Sequence, residues 1–547
     1  MSITSCCAEG GFDSKFPSRP GHVETHGLLG DVKPAIWTRP TPSISDKITL
    51  LKTWFDQCES SHGACTPVVS ILPKRLVTTG VSDGPIRLVR TAKFTQKAVR
   101  YATLSHCWGD KLPLRTTSGN EAMLEKGIPE SMLPRTFRDA IELACRIDIP
   151  YLWIDALCIR QDDPVEWAQE AAMMKDIYAG SVLTIAAANG RCSDDGCLTA
   201  MAPDDSFRPV GPFRDINFTV KVSHGHSLHI RAHNGDTRSL TRETALSSRG
   251  WVLQEDVLSR RIVYCMLPEL HWRCQCCYQI ESGAAFDLRN NNNVLPSVPG
   301  RPQASLHDVW YQWMANYSGR EFTFTKDRLS AMAGIVEFFT SISGYRHILG
   351  CWENSFAQGL LWLPLSRKPP NVGIPGIPSW SWLTRHDDVS YDHWTSRDKN
   401  AVHEYHVKLL DWNVLWTGTP FVSGIKAAQV QVRGPVQDIV LSVAPEGRDF
   451  NPPKMNVGDE VPDFEKGPIP WCCTGRIDHG SGAKQSYTCL LVLSSGSPTP
   501  YQEVALLLEP VISNDSTGTT YRRVGIAKFL IKETRFPDKS PRNIILV

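Results

Sequence analysis

Between Tyr151 and Ile159 the sequence runs Tyr-Leu-Trp-Ile-Asp-Ala-Leu-Cys-Ile, nine residues with a single charge at Asp155. An apolar run of this kind marks a strand covered on both faces, and such strands belong to parallel sheets sheathed by helices. The neighbouring segments agree. Tyr101-Ala-Thr-Leu-Ser-His-Cys107 reads as a strand that stops at Trp108-Gly109, and Ser181-Val-Leu-Thr-Ile-Ala-Ala187 as another. Between the first two, Phe137, Ala140, Ile141, Ala144 and Cys145 recur at helical spacing behind Thr136 as N-cap, and Pro150 ends the pattern. Between the second and third, Asp163-Pro164-Val165-Glu166 supplies a cap, a proline in the first turn and an acid to follow it, and the helix extends to Tyr178. The order β-α-β-α-β predicts an α/β fold, an open and mostly parallel sheet with helices packed on its faces.

The rest of the chain is arranged around this core. Residues 1–45, rich in Gly, Pro, Ser and Thr without a period, read as a flexible leader. A helical pattern follows (Ile48, Leu51, Trp54, Phe55), and the core is expected inside a domain spanning 46–285. Strands are expected at 259–265 and 270–278, with a short helix or turn opening at Arg249. The stretch from Asn290 to Pro302 is the expected boundary. Beyond it, 303–547 reads as an α+β region, with helices near 306–317 and 327–342 and then largely antiparallel strands such as Gln429-Val-Gln-Val-Arg433.

Composition excludes several classes of function. Lys and Arg number 58 against 57 Asp and Glu, so no net field steers the chain onto nucleic acid or an anionic membrane. Residues 101–200 hold nine Lys and Arg against fifteen Asp and Glu, the wrong sign for binding phosphate backbones. No apolar run approaches the roughly 18 residues of a membrane-spanning helix, and no basic start with an apolar core marks a signal peptide. Seventeen cysteines in 547 residues are too few for a disulfide scaffold, so free thiols in a reducing, cytoplasmic setting are expected. With no P-loop motif and no strand-linked GxGxxG, nucleoside triphosphate hydrolysis is not expected.

Open parallel sheets bind ligands beyond the carboxyl ends of their strands. The first strand delivers Ser105, His106, Cys107, Trp108 and Gly109 there, and the second carries Asp155 and leads to Arg160, Gln161 and Asp162. A carboxylate inside an apolar strand must be paired or reach a polar crevice, so Asp155 either anchors a loop or arginine or contacts a ligand. The next helix holds a sharper anomaly. Trp167, Ala171, Met174, Ile177 and Tyr178 share one face, and Glu170 falls inside that stripe. Desolvation raises the pKa of such a carboxyl and suits it to acid-base work; a structural ion pair with Arg249, Arg138 or another arginine is the alternative. His106 and Cys107 are adjacent on a strand and point to opposite faces, which argues against a nucleophile-base pair. Cys58, His62 and Cys65 offer three metal donors without a fourth, and His271, Cys274, Cys276 and Cys277 lack a matching second CxxC pair. Both groups are expected to be thiols without a metal.

These blocks resemble the fungal heterokaryon-incompatibility (HET) domain family. The resemblance rests on Tyr101-Ala-Thr-Leu-Ser-His-Cys-Trp-Gly109, Leu133-Pro-Arg-Thr-Phe-Arg-Asp-Ala140, Tyr151 through Asp163, Trp167-Ala-Gln-Glu170, Met174-Lys-Asp-Ile-Tyr178 and Arg249-Gly-Trp-Val-Leu-Gln-Glu255 with Ser259-Arg260, a motif core of 101–275. Cys58 to Cys65 upstream, and Tyr317-Ser-Gly-Arg320, Asp327-Arg328-Leu329 and Pro378-Ser-Trp-Ser-Trp382 downstream, are similar to sequences that accompany the domain. The resemblance implies fungal non-self recognition that triggers programmed cell death, a form of innate immunity, with self-association and an incompatibility partner protein. It further implies remote similarity to Toll/interleukin-1 receptor (TIR) domains, whose core is flavodoxin-like and many of which cleave nicotinamide from NAD with a helix glutamate. By that fold-level analogy Glu170 is the catalytic residue of an NAD(P) glycohydrolase, NAD being substrate and no cofactor being held. Ser105, His106, Trp108, Gly109, Asp155 and Trp167 then line the crevice, and Arg249, Gln254 and Glu255 complete it. The alternative is a non-enzymatic interaction module in the same pathway, with Glu170 bonded to Arg249.

Overall fold

The computed structural model describes residues 2–7, 43–66, 71–81, 84–95, 99–198, 216–221, 227–233, 244–266, 269–281, 285–287, 304–365, 374–391, 402–443, 454–457, 472–477, 484–496, 501–511, 519–531, 534–538 and 540–547. Contacts divide the chain into two units, Met1–Gly300 and Arg301–Val547. Most of the expected leader and the stretch from Asn290 to Pro302 lie outside the described residues.

In the first unit the strands are β1 (Ser2–Cys7), β2 (Arg75–Thr78), β3 (Leu88–Arg90), β4 (Tyr101–Ser105), β5 (Tyr151–Trp153), β6 (Leu183–Ala186), β7 (Ile216–Lys221), β8 (Ser227–His233), β9 (Arg261–Cys265), β10 (Leu270–Cys274), β11 (Cys277–Ile280) and β12 (Ala285–Asp287). The helices are α1 (Ile44–Ser61), α2 (Glu121–Lys126), α3 (Arg135–Arg146), α4 (Asp155–Cys158), α5 (Pro164–Gly180) and α6 (Val252–Leu258). One sheet runs β12-β11-β10-β9-β6-β4-β5-β2-β3, and β1, β8 and β7 form a small antiparallel sheet. The central neighbours β5, β4, β6 and β9 are parallel, and antiparallel strands extend both sides. The expected parallel core is thus the middle of a mixed sheet. Winding reverses at β4, which lies between β5 and β6, so right-handed connections send α3 and α5 to opposite faces.

Apolar content foretold burial better than conformation. The run from Tyr151 is strand only through Trp153; Asp155–Cys158 is a helical turn. Cys158 Sγ accepts the Ile154 N–H at 3.4 Å and Asp155 Oδ1 that of Ala156 at 2.7 Å, which turns the chain where the strand leaves the sheet. Thr136 is not an N-cap. Pro134 holds that position, and the Thr136 hydroxyl accepts the Gly196 N–H at 3.1 Å from within α3. The strand expected over 270–278 breaks into a hairpin because the Cys276 and Cys277 N–H groups fold back onto Cys274 Sγ, each at 3.4 Å.

The core of this unit is aromatic, and several of its hydroxyls are hydrogen-bonded. Trp153 meets Tyr178 edge-on at 5.7 Å, and Trp272 packs on Trp54 and Phe55 of α1 at 6.4 and 6.5 Å. Thr103, Thr184 and Ser259 link hydroxyls at 2.7 and 2.6 Å across the sheet, and Tyr101 Oη donates to the Ile177 carbonyl at 2.7 Å. Hydrogen bonding is what makes these buried groups tolerable.

The second unit carries the helices Ala304–Ser318 and Asp327–Ser343, a short helical turn at Phe356–Gly359, and a largely antiparallel sheet whose long strands include Ile425–Val443, Gln485–Gly496, Tyr501–Val511 and Thr520–Ile531. Trp380 and Trp382 of the Pro-Ser-Trp-Ser-Trp motif are fully buried, which makes that motif core packing. No described helix is long and apolar enough to cross a membrane.

Candidate functional site

The polar groups gather where β4 ends. Ser105 and His106 are buried, the His106 ring edge-on to Phe137 at 5.0 Å. Burial lowers the imidazole pKa to about 4, aided by Arg249 and opposed by Asp155, so the ring is neutral at physiological pH. Asp155 faces it from the neighbouring strand end: Oδ1 lies 3.9 Å from His106 Nδ1, and Oδ2 accepts the Trp108 indole N–H at 2.9 Å. Arg249 donates to the His106 carbonyl. Glu255, in the first turn of α6, is buried; burial raises its pKa, while Arg249 and the hydroxyls of Ser105 and Tyr178 favour its charged form. Both His106 ring nitrogens, Ser105 Oγ, Gln254 Oε1 and Glu255 Oε2 are buried without a hydrogen-bond partner of normal geometry. Such unsatisfied atoms are costly, and in a crevice they are the groups a ligand would satisfy. The cluster lies at the reversal of strand winding, where open α/β sheets bind ligands.

Trp167 meets Trp251 edge-on at 6.2 Å, joining α5 to the start of α6. Gly109 has a packing reason instead: its φ is +78°, and a Cβ there would come within 2.3 Å of the Cys192 Cβ.

Glu170 sits elsewhere. It is fully buried on α5, and its one ion pair is with Lys74, Nζ lying 3.8 Å from Oε1. Lys74 also donates to Gln169 at 2.9 Å. Neither Glu170 oxygen has a hydrogen bond of normal geometry, and burial raises the pKa against the pull of Lys74. The expected arginine partners are engaged differently: Arg249 on the His106 carbonyl, Arg138 at 4.0 Å from Glu130. Among the described residues no hydrogen bond or ion pair ties Glu170 to the Ser105, His106, Asp155, Arg249 and Glu255 cluster.

Residue types alone missed three participants. Tyr178 was visible only as a member of the apolar stripe, and Trp251 only as part of a motif. Arg75 gave no signal at all. It is buried, bonding Glu121 at 2.7 Å, Glu166 on α5 and the Cys158 carbonyl at 3.2 Å. Another expectation is corrected outright. Cys58, His62 and Cys65 do have a fourth donor, Cys274, and the four ligand atoms lie within 4.8 Å of one another.

Residues 101–255 match the family model described as Heterokaryon incompatibility protein (HET). No curated protein and no solved structure matches the chain.

Proposed function

We propose that this chain, which carries a HET domain over residues 101–255, acts in heterokaryon incompatibility, and that the domain does so through a ligand site at the carboxyl end of β4. The observation that carries the reading is the convergence of Ser105, His106, Asp155, Arg249 and Glu255 at the winding reversal, with buried polar atoms left for a ligand to satisfy. The parallel strands, taken in spatial order, are the second, first, third and fourth along the chain, as in flavodoxin-like sheets. That likeness supports the TIR analogy and with it an NAD-type nucleotide as ligand. In this site Arg249 offers charge to a phosphate, Trp108 a ring face to a base, and Asp155 and Glu255 carboxylates to a ribose and to the positive charge that develops as its glycosidic bond to nicotinamide breaks.

Glu170 and Glu255 are both sealed from solvent, but Glu255 lies with Asp155 beside Arg249 and His106 while Glu170 pairs with Lys74, so glycohydrolase chemistry in this site falls to Glu255 or Asp155. The test is nicotinamide release from NAD by the purified full chain at high concentration, compared with Glu255→Gln and Glu170→Gln. Loss in the first and retention in the second supports this site. Loss confined to the second returns the chemistry to the helix glutamate. A second reading is favoured by that same seal: the domain is a non-enzymatic module that signals by self-association or by docking on a partner protein. Absence of both NAD binding and turnover in the wild-type chain would decide for it.

A further inference from the structure

Away from the crevice, four metal-ligating side chains converge from segments that are far apart in sequence. Cys58 ends the buried face of α1, His62 caps that helix, Cys65 closes the single 3-10 turn that follows, and Cys274 is the last residue of β10. Their donor atoms lie within 4.8 Å of one another, and the three cysteines are at most 2% exposed. Cys58 and Cys274 stand 216 positions apart, as do no two ligands of a local thiol loop. Three sulfurs and one imidazole nitrogen at such spacing make a tetrahedral set, closed to substrate, of the kind that holds structural zinc.

The surroundings suit thiolates rather than thiols. The Cys276 and Cys277 N–H groups both donate to Cys274 Sγ at 3.4 Å, and Arg261 Nε donates to Cys58 Sγ at 3.2 Å. His62 Nδ1 lies 3.5 Å from Cys274 Sγ. Three thiolates around a divalent cation leave one net negative charge, which Arg261 offsets; Arg260 steadies the turn through the Ala64 carbonyl at 3.0 Å. Second-sphere donors of this type fix ligand orientation and metal affinity.

We propose that Cys58, His62, Cys65 and Cys274 bind one zinc ion, a structural site that staples helix α1 to the β10–β11 hairpin. All four ligands lie outside residues 101–255, so the staple belongs to the flanks of the HET domain and joins its N-terminal approach to the strands that follow. Cys277, 3.5 Å from Cys274, is a neighbour and not a ligand; its sulfur accepts from Gln279 at 3.6 Å.

The full chain, purified without chelators, is expected to carry about one zinc per molecule by elemental mass spectrometry. Cobalt added to the metal-stripped, reduced chain should give the intense visible bands of a tetrahedral thiolate site. Cys58→Ser and Cys274→Ser should reduce bound zinc to background, while Cys145→Ser and Cys277→Ser should retain it. The cobalt spectrum of the unmutated chain keeps the test open should a cysteine variant fail to fold. Metal-free protein that shows no cobalt bands after reconstitution would overturn the site, as would a disulfide linking any of these cysteines. Zinc lost in Cys277→Ser but kept in His62→Ala would overturn the ligand set.

Discussion

Glu170 shows that a buried carboxyl carries an energetic cost whatever its role. Its burial raises the pKa, so the folded chain holds that proton more tightly than the unfolded one. Stability from this group is therefore greatest at low pH and falls as pH rises through the ordinary carboxylate range toward the raised folded value. Glu170→Gln should raise the urea midpoint at about pH 7, by roughly 1 kcal/mol, and make little difference near about pH 4. A loss of stability at neutral pH would instead show that the Lys74 pair outweighs desolvation. Arg75 presents the opposite case. Burial pushes Glu121 and Glu166 up, but the Arg75 hydrogen bonds outweigh it and hold both below their usual range. Their contribution is present above the unfolded pKa and lost as pH falls through the lowered folded values. Arg75→Met leaves Glu121 with Arg90 and Arg160 and Glu166 with the Arg160 N–H, and should cost roughly 1–3 kcal/mol in denaturant titration at neutral pH. Periodicity made Glu170 visible because it broke a pattern. Arg75 broke none, since its partners lie 46 and 91 positions away.

At the level of elements, caps and stripes were legible where they are local. Asp163 accepts the N–H groups of Val165 and Glu166, both at 3.0 Å, with Pro164 following as the first residue of α5. Asp163→Ala should cost roughly 0.5–2 kcal/mol in thermal or urea unfolding. Ser43 and Asp46 cap each other at the start of α1, bonding at 3.2 and 3.0 Å. The errors have one physical origin. Tyr151 to Ile159 is buried except at the half-buried Tyr151 and Asp155, and burial alone does not distinguish a strand from a helical turn. Thr136 has the chemistry of a cap, yet the chain enters α3 one residue earlier, and the hydroxyl serves Gly196 instead.

Across the whole molecule, each unit has its own core, and fourteen cysteines, Cys58, Cys65 and Cys274 among them, form no disulfide. A phosphine reductant should therefore leave the thermal midpoint of the full chain unchanged, as read by scanning calorimetry; a drop of several degrees would reveal a stabilising disulfide. The sequence by itself determined what short-range physics dictates: which segments are apolar on two faces, where helices gain caps, and the parallel centre of the first sheet. It also nominated Ser105, His106 and Asp155, because strand-end polarity is written in consecutive letters, whereas Arg249 and Glu255 came from the family resemblance. Only the tertiary structure decided which of them meet. It gave Glu170 Lys74 as an ion-pair partner and brought Cys274 to Cys58, His62 and Cys65. Contacts between residues separated by scores or hundreds of positions depend on how β-strands and helices are layered, and no local period of 2 or 3.6 residues encodes that.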